Sequence, residues 1–494
     1  MNNGKICVPV FAGTADELIA EMKRAAQFAD LVELRIDSLR SDEIEPFLEK
    51  LARQLIVPDK RLLVTFRPKE EGGFRDLIMR ERGQFWCAGY DAGWGADLEE
   101  DVLDAGAVYL AENIIASHHN FKGVPDDLAA IYQRLKNTHA NIVKLAVQTD
   151  DISDGLSLWK LLINAEKGSL IPIAMGEAGK WTRIMGPAFG APLTYASLET
   201  GRENAPGQIL VRDMIEVYRV KELTEKTRVY AIAGDPVSKS LSPFMHNAAF
   251  KLKGIDAVFI HMEVRDLDRF MREFIPESGM NFGGLAVTMP HKETIIPYLD
   301  EIDDAARAMG AVNTVKFVGG KLYGYNTDAR GFIEPLKKAY GGLTSSNVAV
   351  LGAGGAARAC VYALKEEGAN VTAFARNIEK AEKFSGEFDI EVKDLSTFDT
   401  GYFDIVINTT PVGMSTDDRS LLTSGQLGDV KLVYDLITKP AKTALIREAE
   451  KVGTATLGGF EMLLAQGVRQ FEIWTGTDAP ISHMKEIALK RLVI

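Results

Sequence analysis

The sequence predicts an α/β protein, an N-terminal (β/α)8 barrel followed by a two-lobed α/β region. Three observations predict it. Up to about residue 215, short β-rich runs alternate with helical stretches. A polar, mixed-charge stretch at 218–228 (YRVKELTEKTR) then gives way to a new apolar strand. Finally, residues 347–358 read as a strand, a glycine-rich turn and a helix start.

Taken in order, the barrel strands fall at 6–11, 31–36, 62–66, 114–117, 142–147, 170–174 and 193–196. Strand, helix, strand at this rhythm means parallel β/α units. The stretch 85–112 leaves room for an eighth strand at 96–99, which completes the ring. A strand at 229–233 opens the second half, and another at 347–351 nucleates its second lobe. The expected partition is 1–220 for the barrel, 228–328 and 329–458 for the two lobes, and 459–494 for helices returning to the first lobe.

Composition sets the class. The 494 residues carry 57 Lys+Arg against 69 Asp+Glu, a net charge of −12, with 46% hydrophobic and 26% charged residues. That length supports several domains and a large core. The net charge argues against nucleic-acid or anionic-membrane partners, so anionic ligands must be held by local Arg and Lys clusters. Cys7, Cys87 and Cys360 are odd in number and far apart, which points away from a disulfide framework or zinc site and toward a reducing, cytoplasmic setting. The apolar stretch 6–12 is short for a signal peptide, and no window reaches transmembrane length.

Polar residues gather where the barrel strands end: Glu33, Arg35 and Asp37, then Arg67 and Glu71, then His118 and His119, then Lys144. In a β/α barrel these ends converge on one mouth. Lys144 lies within an apolar strand, Ile142-Val143-Lys144-Leu145-Ala146-Val147, where an unpaired ammonium is costly. A desolvated lysine is what Schiff-base chemistry needs. A snorkelling lysine and a structural Glu33/Arg35 ion pair are the plainer alternatives.

The combination resembles the type I 3-dehydroquinate dehydratases over most of residues 5–213. It is carried by ELRID, TFR with Glu71 and Gly-Gly after it, SxH before a Phe, VKLAV, Arg183 with Gly186 and Phe189-Gly190, and Ala205-Pro206-Gly207-Gln208. The resemblance implies that Lys144 forms an imine with the substrate ketone and that His119, rather than His118, moves protons. It implies that Glu71 and Glu33 orient the site, while Arg35, Arg67, Arg183 and Gln208 hold carboxylate and hydroxyls. Asn120 and Asn204 stand where many relatives carry Asp and Ser.

In the second half, Gly352-Ala353-Gly354-Gly355-Ala356 follows a strand and opens a helix, the pattern that lets backbone approach a pyrophosphate at a helix N-terminus. The next strand ends in Arg376, with Lys380 beyond, where an NAD site would place Asp or Glu on the ribose. Those cations suit a 2′-phosphate and predict NADP(H). The segments GDPVSKSLSPFMHN, AVTMPHKE, GAVNT, YNTD, NTTPVGM and GFEMLLAQ, in that order, resemble shikimate dehydrogenase from residue 229 to about 490.

That second resemblance implies a catalytic pair, Lys292 and Asp328, and substrate contacts from Ser240, Ser242, Thr288, Asn313 and Gln466. Asn408 and Thr409 would join the cofactor site, with Gly459 and Met462 against the nicotinamide. Ala329 replaces a common Gly, and Thr438 stands where a second Tyr is frequent. His246, His261 and His291 read as loop or capping histidines, and no spacing indicates a metal. The two resemblances together imply consecutive steps: 3-dehydroquinate to 3-dehydroshikimate, then NADPH-dependent reduction to shikimate. A quinate dehydrogenase in the second half, or a non-catalytic metabolite sensor on the same domains, is the alternative.

Overall fold

A computed structural model describes residues 2–52, 62–76, 82, 95–104 and 113–492. The chain packs as two compact units, one of residues 1–243 with 256–282 and one of 244–255 with 283–494. Among the described residues no helix is long and apolar enough to cross a membrane.

In the first unit, eight parallel strands are β1 (Lys5–Val10), β2 (Leu31–Arg35), β3 (Leu62–Thr65), β4 (Gly95–Glu99), β5 (Asn113–Asn120), β6 (Ile142–Gln148), β7 (Leu170–Met175) and β8 (Leu193–Tyr195). Their order β7-β6-β5-β4-β3-β2-β1-β8 makes a near-closed barrel, and the eighth strand expected at 96–99 is β4. Residues 85–94 and 105–112 of that stretch lie outside the described residues. Inward-pointing Cys7, Leu63, Ile115, Ala146, Ile171, Ile173, Leu193 and Tyr195 fill the barrel interior. Outside, the helix Ala15–Ala25 buries Leu18, Met22 and Ala25 at helical spacing, and Thr14 caps it by accepting the Glu17 amide.

The same unit continues past the charged stretch at 218–228. There β9 (Arg228–Gly234) pairs in parallel with β10 (Ala257–Glu263). The following segment packs on the barrel through aromatics. Trp159 and Trp181 lie 4.6 Å apart by ring centroid, Phe274 meets Trp181 at 5.0 Å, and the Trp159 indole donates to the Ser278 carbonyl at 2.8 Å. Asp151 accepts the Arg265 and Asp266 amides at 2.7 and 3.1 Å. Burying such large rings ties the segment to the barrel regardless of the polar link before it.

In the second unit, β11 (Phe282–Val287) runs antiparallel to β13 (Thr314–Val318), and β13 antiparallel to β14 (Lys321–Tyr325), which pairs in parallel with β12 (Glu301–Ile302). A six-stranded parallel sheet has the order β17-β16-β15-β18-β19-β20, with β15 at Asn347–Leu351, β16 at Asn370–Ala375, β17 at Glu391–Asp394, β18 at Ile405–Asn408, β19 at Leu432–Asp435 and β20 at Ala455–Gly458. The order reverses between β15 and β18, where doubly wound sheets open a crevice. The helices Asp328–Tyr340 and Gly459–Thr475 cross closely at Gly331, where a Cβ would stand 2.7 Å from the Gln466 Cβ and 2.9 Å from its backbone nitrogen. The second helix ends against β13, with the Trp474 indole donating to the Val315 carbonyl at 2.9 Å.

Candidate active sites

Eight residues singled out in the barrel half, Glu33, Arg35, Arg67, Glu71, His119, Lys144, Arg183 and Gln208, line one cavity at the barrel mouth. Strand register explains the convergence: Glu33 ends in line with Leu63 on β3, and Ser117 on β5 stands opposite Lys144 on β6. His119 lines the cavity and His118, its neighbour on β5, does not. Side chains alternate along a strand.

Lys144 does not carry an unpaired ammonium. Its Nζ lies 2.5 Å from Asp97 Oδ2 on β4, 3.4 Å from the Tyr195 hydroxyl and 4.5 Å from the centroid of that ring. The register sets Asp97 in line with Ile115 and Ile142, two residues before Lys144, and its carboxylate reaches the ammonium across the intervening β5. Asp97 also pairs with Arg67 at 2.9 Å. Burial opposes its charge, but Lys144 and Arg67 hold it at about 2.

His119 is held from two sides. Its Nδ1 lies 3.0 Å from Glu71 Oε2 and 2.6 Å from Arg67 Nη1. Burial, with Arg67 and Lys144 beside it, drives the imidazole well below its usual value, so the ring is a neutral base at pH 7. Burial, reinforced by Glu99, raises Glu71 to about 8, and burial raises Glu99 to about 7. Asn120 turns away and accepts the Lys122 amide at 2.9 Å, so it takes no part in orienting His119.

Arg35 is clamped by Asp37 at 3.0 and 2.7 Å and reaches Asn204 Oδ1 at 2.7 Å. The Asn204 amide in turn donates to Gln208 Oε1 at 2.9 Å. Arg183 donates to the carbonyls of Ala174 and Pro206 at 2.7 and 3.1 Å, and its buried Nε has no protein partner among the described residues. That free donor suits an anion. Sequence reading missed Asp97, Glu99 and Tyr195. Two acids at i, i+2 in β4 were the available signal, since alternation sends both to one face.

In the second unit, Lys292 Nζ lies 2.6 Å from Asp328 Oδ2, and both side chains are partly accessible. Asp328 opens the helix Asp328–Tyr340, where the helix dipole favours its negative charge. Asn313 donates to Asp328 Oδ1 at 2.8 Å and to Thr327 Oγ1 at 2.9 Å, while its own Oδ1 accepts from Thr314 at 2.7 Å. Asn313 therefore aims the carboxylate. Gln470, unnoticed in the sequence, extends this network to Thr314 at 3.1 Å. Gln466 stands on the helix crossing at Gly331, and the Thr288 carbonyl accepts the His291 amide at 2.9 Å. Ala329 packs in the hydrophobic core.

Ser240 and Ser242 belong to the first unit, Ser240 on the loop after β9 and Ser242 as the first residue of the helix Ser242–Lys253. Ser240 Oγ accepts the Ser242 amide at 3.2 Å. Thr438 is half-buried after β19.

The dinucleotide motif has a cradle's geometry. Gly352 has φ +117°, and a Cβ there would meet Thr409 Oγ1 at 2.4 Å, so only glycine fits. Thr409 donates from that same oxygen to the Leu351 carbonyl at 2.7 Å, closing the β15/β18 crevice floor. Gly354 and Gly355 face open space in front of the helix Gly355–Glu366, leaving its first amides approachable. Ala353 and Ala356 complete the turn without a large side chain to obstruct it. Arg376 is exposed at the end of β16, and the Lys380 side chain lies outside the described residues. Asn408 is fully buried and bonded to Asp435 Oδ1 at 3.0 Å and to the Thr410 amide at 2.9 Å, so its side chain shapes the loop. Gly459 sits against backbone, with a Cβ there 2.1 Å from the Leu436 carbonyl, and Met462 is half-buried one turn along. Among the described residues no group of His, Cys, Asp and Glu is arranged to hold a metal.

Comparison with known proteins matches the stretches that carry most of these residues, in order along the chain. The type I 3-dehydroquinase model covers residues 6–225, the shikimate dehydrogenase substrate-binding domain 232–315, the shikimate/quinate 5-dehydrogenase model 334–423 and the shikimate 5′-dehydrogenase C-terminal domain 459–489. The chloroplastic bifunctional 3-dehydroquinate dehydratase/shikimate dehydrogenase of Arabidopsis thaliana is 33% identical over 97% of this chain and 83% of its own length. An NADP(+) shikimate dehydrogenase of Methanothermobacter thermautotrophicus is 40% identical over 55% of this chain and 99% of its own. A crystal structure of a shikimate dehydrogenase in complex with NADP+ aligns over 54% of this chain and 96% of its own, at 37% identity and a TM-score of 0.51. The chain belongs to the family of bifunctional 3-dehydroquinate dehydratase/shikimate dehydrogenases.

Proposed function

We propose the following division of labour for a chain that is both a 3-dehydroquinate dehydratase and an NADP-dependent shikimate dehydrogenase. The observation that carries it is the barrel cavity, where one buried lysine, one neutral imidazole and three arginines face a common space.

In the barrel, Lys144 Nζ, once it has released a proton, attacks the ketone carbon of 3-dehydroquinate, and loss of water gives an imine. The protonated imine acidifies the neighbouring C–H. His119 takes that proton, the electron pair moves toward the imine nitrogen, and the β-hydroxyl then leaves as water with a proton returned by His119. Hydrolysis frees Lys144 and 3-dehydroshikimate. Glu71 holds the His119 ring, Asp97 and Tyr195 hold the lysine head, and Arg183 with Gln208 receives the substrate carboxylate. Glu33, Arg35 and Arg67 face the ring hydroxyls.

In the second half, Lys292 delivers a proton to the carbonyl oxygen of 3-dehydroshikimate as it becomes an alkoxide, and Asp328, aimed by Asn313, positions the ammonium. Ser240, Ser242, Thr288 and Gln466 bind the substrate's carboxylate and hydroxyls. The cofactor is NADP(H), which supplies the hydride when bound. Gly352, Ala353, Gly354, Gly355 and Ala356 fit its pyrophosphate, Arg376 and Lys380 its 2′-phosphate, and Thr409, Gly459 and Met462 its nicotinamide end. Asn408 shapes that loop from behind.

The partners are these small molecules rather than nucleic acid or membrane. Cys7 and Cys360 are buried free thiols, which supports a reducing, cytoplasmic compartment.

The test is to give the purified chain 3-dehydroquinate and NADPH with no other enzyme and to follow NADPH consumption. Shikimate as product supports both assignments. Direct reduction to quinate would favour a quinate dehydrogenase, and silence with both 3-dehydroquinate and 3-dehydroshikimate would favour a sensor. Borohydride with 3-dehydroquinate adds ligand mass to Lys144, and an unmodified lysine rejects the imine.

A further inference from the structure

β10 presents His261 and Glu263 two residues apart, hence on one face of the strand. That face carries the loop that leads to Ser240 and Ser242. Glu263 accepts the Val237 amide at 3.1 Å, and His261 Nε2 lies 3.2 Å from the Ser240 carbonyl oxygen. A carbonyl only accepts, so Nε2 bears the proton. Burial pushes His261 down to about 4, which leaves the ring neutral at pH 7 and Nδ1 an acceptor.

The atom facing Nδ1 is the Tyr218 hydroxyl, 3.4 Å away, which must then donate. Both side chains are buried. The next residue, Arg219, donates to the Ala257 carbonyl at 2.9 Å, so residues 218 and 219 grip β10 at its start and its middle. Tyr218 falls within the 6–225 stretch that matches the dehydroquinase model and ahead of the 232–315 stretch that matches the shikimate dehydrogenase substrate-binding domain.

We infer that Tyr218 and His261 are positioning residues for the dehydrogenase. The dehydratase half lends a hydroxyl that fixes the imidazole tautomer, and the imidazole fixes the Ser240 carbonyl and with it the Ser240–Ser242 segment. The inference rests on the reading of that segment as substrate-binding. A relay of this kind acts on the affinity for the substrate and leaves the proton transfer at Lys292 untouched.

The experiment uses the full chain with shikimate and NADP+. Tyr218→Phe and His261→Leu are expected to raise KM for shikimate about 3- to 10-fold, the worth of one hydrogen bond, with kcat within about twofold. KM for NADP+ and the rate of 3-dehydroquinate dehydration stay at the wild-type values. His261→Gln, which keeps an N–H near the Nε2 position, restores the shikimate KM. An unchanged shikimate KM in both variants overturns the inference. So does a parallel loss of dehydration and NADP+ affinity, or a His261→Gln variant as poor as His261→Leu. Ser240→Ala, measured alongside, separates the two readings. A raised shikimate KM in Ser240→Ala but not in Tyr218→Phe or His261→Leu overturns the positioning role alone, whereas no change in any variant overturns both.

Discussion

Gly331→Ala tests whether the second site depends on the close crossing of the helices Asp328–Tyr340 and Gly459–Thr475. Alanine normally improves a helix interior by roughly 0.5–1 kcal/mol over glycine. Here its Cβ would lie 2.7 Å from the Gln466 Cβ, and its other neighbours are the backbone nitrogen and Cα of the same residue at 2.9 and 3.0 Å. Ordinary contact begins near 3.4 Å, so the shortfall is 3.4 minus 2.7, or 0.7 Å, and backbone cannot swing aside. Overpacking of this kind costs about 1–3 kcal/mol, which exceeds the propensity gain, so net destabilisation follows. The separation also moves Gln466 relative to Asp328, and displacement on the order of 1 Å at a reacting centre costs up to about 100-fold in rate. We expect kcat/KM for shikimate oxidation to fall by about 10- to 100-fold. Dehydration of 3-dehydroquinate, assayed on the same sample, is the internal control and stays unchanged. A dehydrogenase within twofold of wild type would refute the argument that this crossing sets the site.

Arg376→Asp is expected to raise KM for NADPH far more than for NADH, read from initial rates with 3-dehydroshikimate, and equal effects on both cofactors would remove Arg376 from the 2′-phosphate site. Glu71, raised to about 8 by burial, keeps its proton in the folded chain where the unfolded chain has lost it, so its contribution to stability falls as pH rises from 4.5 to 8. Glu71→Gln removes that penalty, so the unfolding free energy read from urea titrations gains on wild type by an amount that grows across this window, on the order of a few kcal/mol at most, while dehydration slows. A pH-independent difference would reject the raised carboxyl. Gly352→Ala forces a side chain onto Thr409 at a positive φ, so KM for NADP+ should rise with dehydration intact; an unaltered KM would show that the turn is not part of the cofactor's seat.

The barrel was legible because polar residues at strand ends are a periodic signal, and Glu33, Arg67, His119 and Lys144 each interrupt an apolar run. The partner of Lys144 was not, because which acid reaches an amine across two strands depends on register: Thr65 opposite Asp97, and Asp97 opposite Ile115. In the second half, Lys292 and Asp328 stood out as motifs, whereas Gln470 is one polar position on a largely apolar helix and becomes visible only once Thr314 is beneath it. Asn408 shows the converse. Its place in a motif drew attention to the cofactor, yet its side chain is turned inward to Asp435. The bonds that cross the polar link at 218–228 were not legible either, since they come from Trp159, Asp151 and Asp154, far upstream in sequence.

That last feature bears on how the polypeptide would respond to cutting. A protease nick between Lys221 and Lys226 severs the covalent link between the two enzymes, but the edge-on Trp181 and Phe274 rings, the Asp151 carboxylate over two amides and the Arg269–Asp154 pair all remain. The fragments would migrate as two bands under denaturing conditions and travel together without denaturant. A shared boundary of this kind keeps the two catalysts in fixed one-to-one proportion even after the peptide that joins them is gone.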